Sequence, residues 1–132
     1  MIEINNLTQS KIDEEFLRRL AERVLAGEKK RRKELSIVLV TPKLSADLNK
    51  RYRKKDTVAN VLSFEGTGYE LGEVIICPWQ VRKDAKKYGM MFERALAWML
   101  IHGILHLAGY SHLKERSAKA MERKEHRYLS RI

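Results

Sequence analysis

The chain has a single cysteine, Cys77, among its 132 residues, so no internal disulfide can form. Nor is there a cysteine pair at metal-ligand spacing, and Cys77 reads as a packing residue in a reducing compartment. Two prolines and seven glycines leave no room for a proline- or glycine-rich linker. No repeat or low-complexity tract stands out. Long apolar runs are absent as well. The longest, Ala95 to Ile101, falls far short of the ~20 residues that span a bilayer. The opening MIEINNLTQS lacks the basic start and apolar stretch of a secretory signal. These absences predict a cytoplasmic protein with no membrane partner.

Acidic residues are also scarce relative to basic ones. Lys and Arg number 27 against 17 Asp and Glu, a formal net charge of +10. So basic a small chain attracts polyanions, with nucleic acid the leading candidate and an anionic membrane surface a weaker one. What the sequence does have is 44% hydrophobic residues, enough for a core without disulfide staples, over a length that matches one domain, residues 1–132.

Hydrophobic periodicity organises the chain. Ile2, Ile4 and Asn6 alternate as one face of a short strand. Ser10 followed by Asp13 has the form of a capping box for a helix carrying Phe16, Leu17, Leu20, Val24 and Leu25 inward and stopping at Gly27. Residues 28–33 read as a basic connection. Leu35 to Val40 is a β-branched buried strand. Thr41 then Pro42 starts a helix that should turn Leu44 and Leu48 inward and end near Tyr52. Val58 to Phe64 and Leu71 to Cys77 read as two strands around a turn at Gly66 and Gly68. Helices follow from Pro78 to about Gly89, from Met91 to about Ala108, and from about Lys114 to Leu129. The expectation is an α+β (mixed α/β) fold, one sheet of about four strands packed with about five helices.

Three of the four histidines lie in HGILHLAGYSH, residues 102–112. His102 and His106 are one helical turn apart and project from one face. Gly109 can take the left-handed conformation that ends a helix and turns the chain back, returning His112 towards the other two. Three imidazoles around one point suit a single zinc ion with an open fourth position, at the C-terminal end of a central apolar helix. Three neutral donors leave the ion its full double charge, which lowers the pKa of water and polarises oxygens. The bland alternative, two hydrogen-bonded core histidines, is outweighed by the third beyond a helix-ending glycine. Closed structural zinc sites usually take four protein ligands. Three imidazoles also suit nickel, copper and iron. His126, on a strongly charged helix, reads as solvated. The spacing matches the extended metalloprotease pattern, except that Gly103 stands where that pattern has its glutamate base. A peptidase is therefore disfavoured.

HGILHLAGYSH resembles the H-G-x-L-H-L-x-G-Y-D-H signature of the YbeY family of rRNA-maturation endoribonucleases. LNKRYRKKDTVANVLSF, residues 48–64, resembles that family's L-N-x-x-Y-R-x-K-D-x-x-T-D-V-L-S-F region, and LGEVIIC from Leu71 its L-G-D-I-x-I strand. The resemblance implies metal ligands at His102, His106 and His112 and a functionally important arginine at Arg53. It implies a metal-dependent, single-strand-specific endoribonuclease acting in rRNA maturation and ribosome quality control, with RNA and the ribosome or its small subunit as partners. Ala59, Asn60 and Ser111 depart from the family's threonine and two aspartates. None of the three is a ligand position.

The middle block carries its own chemistry. Lys50, Arg51, Arg53, Lys54 and Lys55 surround Tyr52, offering charge for phosphates and an aromatic face for a base. Arg53 could clamp a phosphate through its planar fork. An ordinary solvated helix end is the competing reading. Lys114, Arg116, Lys119 and Arg123 could extend the basic track. Two other functions compete: a zinc metallohydrolase of another class, and a non-catalytic RNA- or ribosome-binding module with a structural metal.

Overall fold

The structure, a computed structural model, describes residues 1–111 and 114–132. Among these, one four-stranded sheet is combined with five helices, the expected α+β arrangement. The strands are β1 (Ile2–Asn6), β2 (Glu34–Leu39), β3 (Val61–Glu65) and β4 (Glu70–Ile76), in the order β1-β2-β4-β3. β1, β2 and β4 run parallel, and β3 returns antiparallel to β4. Ile4 pairs with Ile37, and Leu39 with Ile76, which aligns the apolar positions of neighbouring strands on shared faces.

The first helix, α1 (Glu14–Gly27), is capped by Asp13 rather than Ser10: the Phe16 N–H donates to Asp13 Oδ1 at 3.0 Å. Asp13 has the short carboxylate that a helix start favours, and Glu14 and Glu15 complement the dipole in the first turn. Its buried residues are Leu17, Leu20, Ala21, Val24 and Leu25. Gly27 is the last helical residue, but the left-handed position falls at Lys29 instead.

The next helix, α2 (Pro42–Arg53), starts as expected, with Thr41 accepting from the Leu44 N–H at 3.3 Å and Pro42 in the first turn. Its inward face is only partly the expected one: Leu48 packs against the sheet, but Leu44 does not. Leu44 is 36% exposed and Leu48 only half-buried, while Ser45 and Asn49 are buried. The reason is specific hydrogen bonding, which here outweighs the apolar pattern. Ser45 Oγ donates to the Ala59 carbonyl at 2.7 Å and accepts from the Ala59 N–H at 2.9 Å; Asn49 Nδ2 donates to the Thr57 carbonyl at 2.9 Å. Residues 57–59, tied down in this way, are not yet strand, so β3 begins at Val61 rather than Val58.

The three remaining helices are α3 (Pro78–Lys87), α4 (Phe92–Leu107) and α5 (Glu115–Leu129). One face of the sheet, with Leu35, Ile37, Leu39, Val74 and Ile76, joins the main core beneath α1 and α4. The other carries a smaller cluster of Val40, Leu62, Ile75 and Cys77, with Leu48 of α2 packed against it. Cys77 is thus a packing residue, 1% exposed, and burial pushes its thiol pKa up. α4 is the hub, touching α1, α3, α5, β3 and β4. Its apolar residues are buried nearly all round, as a helix enclosed on most sides requires. No helix among the described residues is long and apolar enough to cross a membrane.

Candidate metal centre

The polar interruptions of α4 sit together. His102 is half-buried and His106 exposed, their rings 6.1 Å apart between centroids, in the last turns of the helix. Each ring is oriented through Nδ1. His102 Nδ1 lies 2.5 Å from Oε2 of Glu125 on α5, and His106 Nδ1 lies 2.9 Å from the backbone carbonyl of Tyr110. A carboxylate or carbonyl oxygen accepts here, so Nδ1 is the donating nitrogen of each ring, and in the neutral imidazole Nε2 is then the nitrogen that a metal would take. A carboxylate and a backbone carbonyl are the partners that commonly orient a metal-ligating histidine.

Glu125 was not singled out by the sequence, although a signal existed. Met121, Glu125, Tyr128 and Leu129 are the buried residues of α5, at helical spacing. A carboxylate on an otherwise apolar stripe demands a buried partner. Here the partner is His102.

Gly109, with φ +109°, ends α4 as expected. The N–H groups of Gly109 and Tyr110 close back onto the His106 and Leu105 carbonyls at 3.2 and 3.1 Å. His112, the third expected ligand, lies outside the described residues. Among the described residues no group of three or more His, Cys, Asp or Glu is gathered as a ligand set. The two histidines nevertheless fit a transition ion in donor type, each with Nδ1 engaged by an oxygen.

Gly103 has a steric explanation. A Cβ there would stand 2.6 Å from Val74 Cγ1 and 3.2 Å from Ser63 Oγ, because α4 crosses closely over β3 and β4. The position after the first histidine faces the sheet, so the glutamate of the protease pattern has no space here.

A cleft of about 620 Å³ opens beside His102, with Asn60, Trp98, Glu125 and His126 in its walls. His126 is exposed, as expected. Asn60 donates its amide to Asp84 Oδ2 at 3.0 Å, so the family's aspartate at this position would meet another carboxylate. Arg53, Lys50, Arg51, Tyr52, Lys54 and Lys55 are all exposed at the end of α2, and none of them lines the cleft. Tyr52 packs edge-on against Phe64, ring centroids 5.1 Å apart, yet stays 59% exposed.

A second buried carboxylate stands behind the centre. Glu28, just past α1, has a side chain only 6% exposed. It accepts from the Tyr110 hydroxyl at 3.0 Å and the Tyr128 hydroxyl at 2.5 Å, with Lys124 Nζ 3.3 Å away. Burial pushes the Glu28 pKa up, but the hydrogen bonds from Tyr128, Tyr110 and Lys124 outweigh it and the net shift is down. Burial and the same carboxylate push the Tyr110 and Tyr128 hydroxyls up. Nothing in the basic run 28–33 marked Glu28 out, because its partners come from distant segments.

Comparison with known proteins gives the family of the chain. The family model described as Endoribonuclease YbeY matches residues 3–132. A protein of that name from Carboxydothermus hydrogenoformans is 35% identical over 100% of this chain and 97% of its own length. One from Thermotoga neapolitana is 38% identical over 74% of this chain, a match spanning 66% of the relative. A Thermotoga maritima protein whose structure was determined in solution superposes with a TM-score of 0.73 at 32% identity, covering 98% of this chain and 87% of that one. On the extent of these matches, this chain belongs to the YbeY endoribonuclease family.

Proposed function

We propose that the protein is a metal-dependent endoribonuclease that cleaves single-stranded RNA in rRNA maturation and ribosome quality control, in the cytoplasm, as one domain spanning residues 1–132. The observation that carries this reading is the pair His102 and His106, side by side with Nδ1 committed to Glu125 and to the Tyr110 carbonyl. His102, His106 and His112 would hold one ion, with zinc the first candidate among the metals these donors suit. The ion, when bound, supplies positive charge that polarises a phosphoryl oxygen.

The chain's own residues supply the rest. Glu125 and the Tyr110 carbonyl hold the two imidazoles in place, so no orientational freedom is lost when a ligand arrives. Arg53 offers a planar pair of N–H groups to phosphoryl oxygens as negative charge builds on them. Lys50, Arg51, Lys54 and Lys55 hold the RNA backbone, and the exposed face of Tyr52 receives a base. With Gly103 at the position of the protease pattern's glutamate, a general base must come from elsewhere or from the substrate itself. RNA brings its own nucleophile, the 2′-hydroxyl, so this absence is less damaging for RNA than for a peptide.

The test is metal analysis of the purified protein followed by cleavage of single-stranded and structured RNA, with casein as control. About one transition metal per chain is expected, and His106→Ala should lose it, because two nitrogen donors are too few for a tight site. Casein cleavage without RNA cleavage would replace the nuclease with a peptidase. Undiminished metal in His106→Ala would remove the ligand assignment. A 2′,3′-cyclic phosphate on the product would identify internal attack by the RNA.

A further inference from the structure

We infer that Glu28, remote in sequence from every expected ligand, is a positioning residue for the metal centre. The inference rests on the metal-binding reading above. Tyr110 is held at two points: its carbonyl accepts from His106 Nδ1 at 2.9 Å, and its hydroxyl donates to Glu28 at 3.0 Å. Tyr128 donates to the other Glu28 oxygen and lies on α5 one turn beyond Glu125, the acceptor for His102. One carboxylate therefore holds Tyr110, whose carbonyl orients His106, and anchors the helix that carries Glu125, the acceptor for His102. Tyr110 ties it to the turn after α4, and Tyr128 with Lys124 ties it to α5.

The surroundings are built for this contact. A Cβ on Gly27 would fall 2.1 Å from the Tyr128 hydroxyl oxygen, so glycine beside Glu28 is what lets Tyr128 reach the carboxylate. A charged acceptor buried between two hydroxyl donors and an ammonium is costly to disturb, since a lost partner leaves a buried group unsatisfied. A carboxylate here serves two tyrosines at once. A glutamine could accept through one oxygen only, so one hydroxyl would lose its acceptor.

The test is metal affinity in folded protein, measured by competition against a chromophoric chelator, with cobalt(II) as a spectroscopic probe of the ligand field. Tyr110→Phe keeps the ring and the carbonyl and removes only the hydroxyl. It should weaken metal binding roughly tenfold, the lower end for partners that orient a ligand. Glu28→Gln should weaken it at least as much, and the double variant should fall no further than Glu28→Gln alone, since both act through one contact. The cobalt spectrum of each should broaden or shift against the parent. If both single variants are folded and bind metal with parental affinity and spectrum, Glu28 is a fold clamp only and the inference is wrong. Additive losses would likewise break the proposed chain from Glu28 through Tyr110. If Glu28→Gln does not fold, Tyr110→Phe alone decides. Parental protein whose metal uptake is insensitive to His106→Ala would instead overturn the metal reading itself, and this inference with it.

Discussion

At the scale of single residues, two positions separate chemistry from packing. Arg53 is exposed and lies on a different element from the histidines, and it carries no lone pair to offer a metal. Arg53→Ala should therefore lower single-turnover RNA cleavage by roughly two orders of magnitude, the usual cost of losing one preorganised charge donor. It should keep the metal and most of the RNA affinity, because the contact strengthens only as charge develops. Arg53→Lys should rescue only in part, since a point charge cannot reproduce the fork. Parental cleavage by Arg53→Ala at saturating enzyme would reduce it to a surface charge. Gly103 sets two known effects against each other. Alanine in place of glycine inside a helix gains up to about 1 kcal/mol. The new Cβ would be driven into Val74 at 2.6 Å in a packed core, and such overpacking costs about 1–3 kcal/mol. Urea unfolding should show Gly103→Ala to be less stable than the parent; an equal or higher midpoint would mean the helix can ride up off the sheet without penalty.

At the scale of elements, α2 is where apolar pattern and structure part company. Leu44 sits at a position the 3.6-residue period assigns to the interior, yet Ser45 and Asn49 occupy it because they bind the backbone of residues 57–59. Ser45→Ala should destabilise the protein by about 1 kcal/mol or more, leaving Ala59's partly buried N–H and carbonyl short of a partner. Leu44→Ala should change stability by no more than about 0.5 kcal/mol, as exposed substitutions do. Denaturation midpoints in the reverse order would restore the leucine face as the inward one. This contrast also marks how far the sequence can be read. The strands, the helices and the turn at Gly109 are local signals of period, cap and glycine, and they were legible. So were His102 and His106, because helical spacing alone places them together. Glu125 and Glu28 were not, since their partners come from other segments: His102 across two helices, and Tyr110 and Tyr128 from the far end of the chain. A sequence records the cost of burying a carboxylate but not the address of the group that offsets it.

At the scale of the whole molecule, the +10 charge should govern association with RNA. Each cationic contact releases counterions, and about three contacts on a single strand give a log–log salt slope of about −2. Affinity for single-stranded RNA should fall roughly tenfold to twentyfold between about 50 and 200 mM salt. Charge reversal at Lys50 and Arg51 should flatten that slope, while reversal at Glu3, on β1, should not. An affinity insensitive to salt in the parent would remove the electrostatic account of RNA binding. Long-range attraction of this kind is not sequence-selective. On the proposed reading it would bring RNA to the surface, and discrimination would fall to the cleft beside His102.

The attachment of α2 has a kinetic consequence. α4 is sealed into the main core by apolar residues on nearly every side, whereas the buried residues of α2 itself are two polar ones. An element held mainly by two hydrogen-bonded side chains, with half-buried Leu48 its chief apolar contact, should open before the sealed core does. Backbone amides of α2 should therefore exchange with deuterium well before those of α4, and warming should release this helix below the global melting temperature. Since Arg53 is its last residue, RNA cleavage should fade on heating while the histidines still hold their ion. The protein would then have two distinct heat limits: a lower one for turnover, set by a few side-chain hydrogen bonds, and a higher one for the core and its metal.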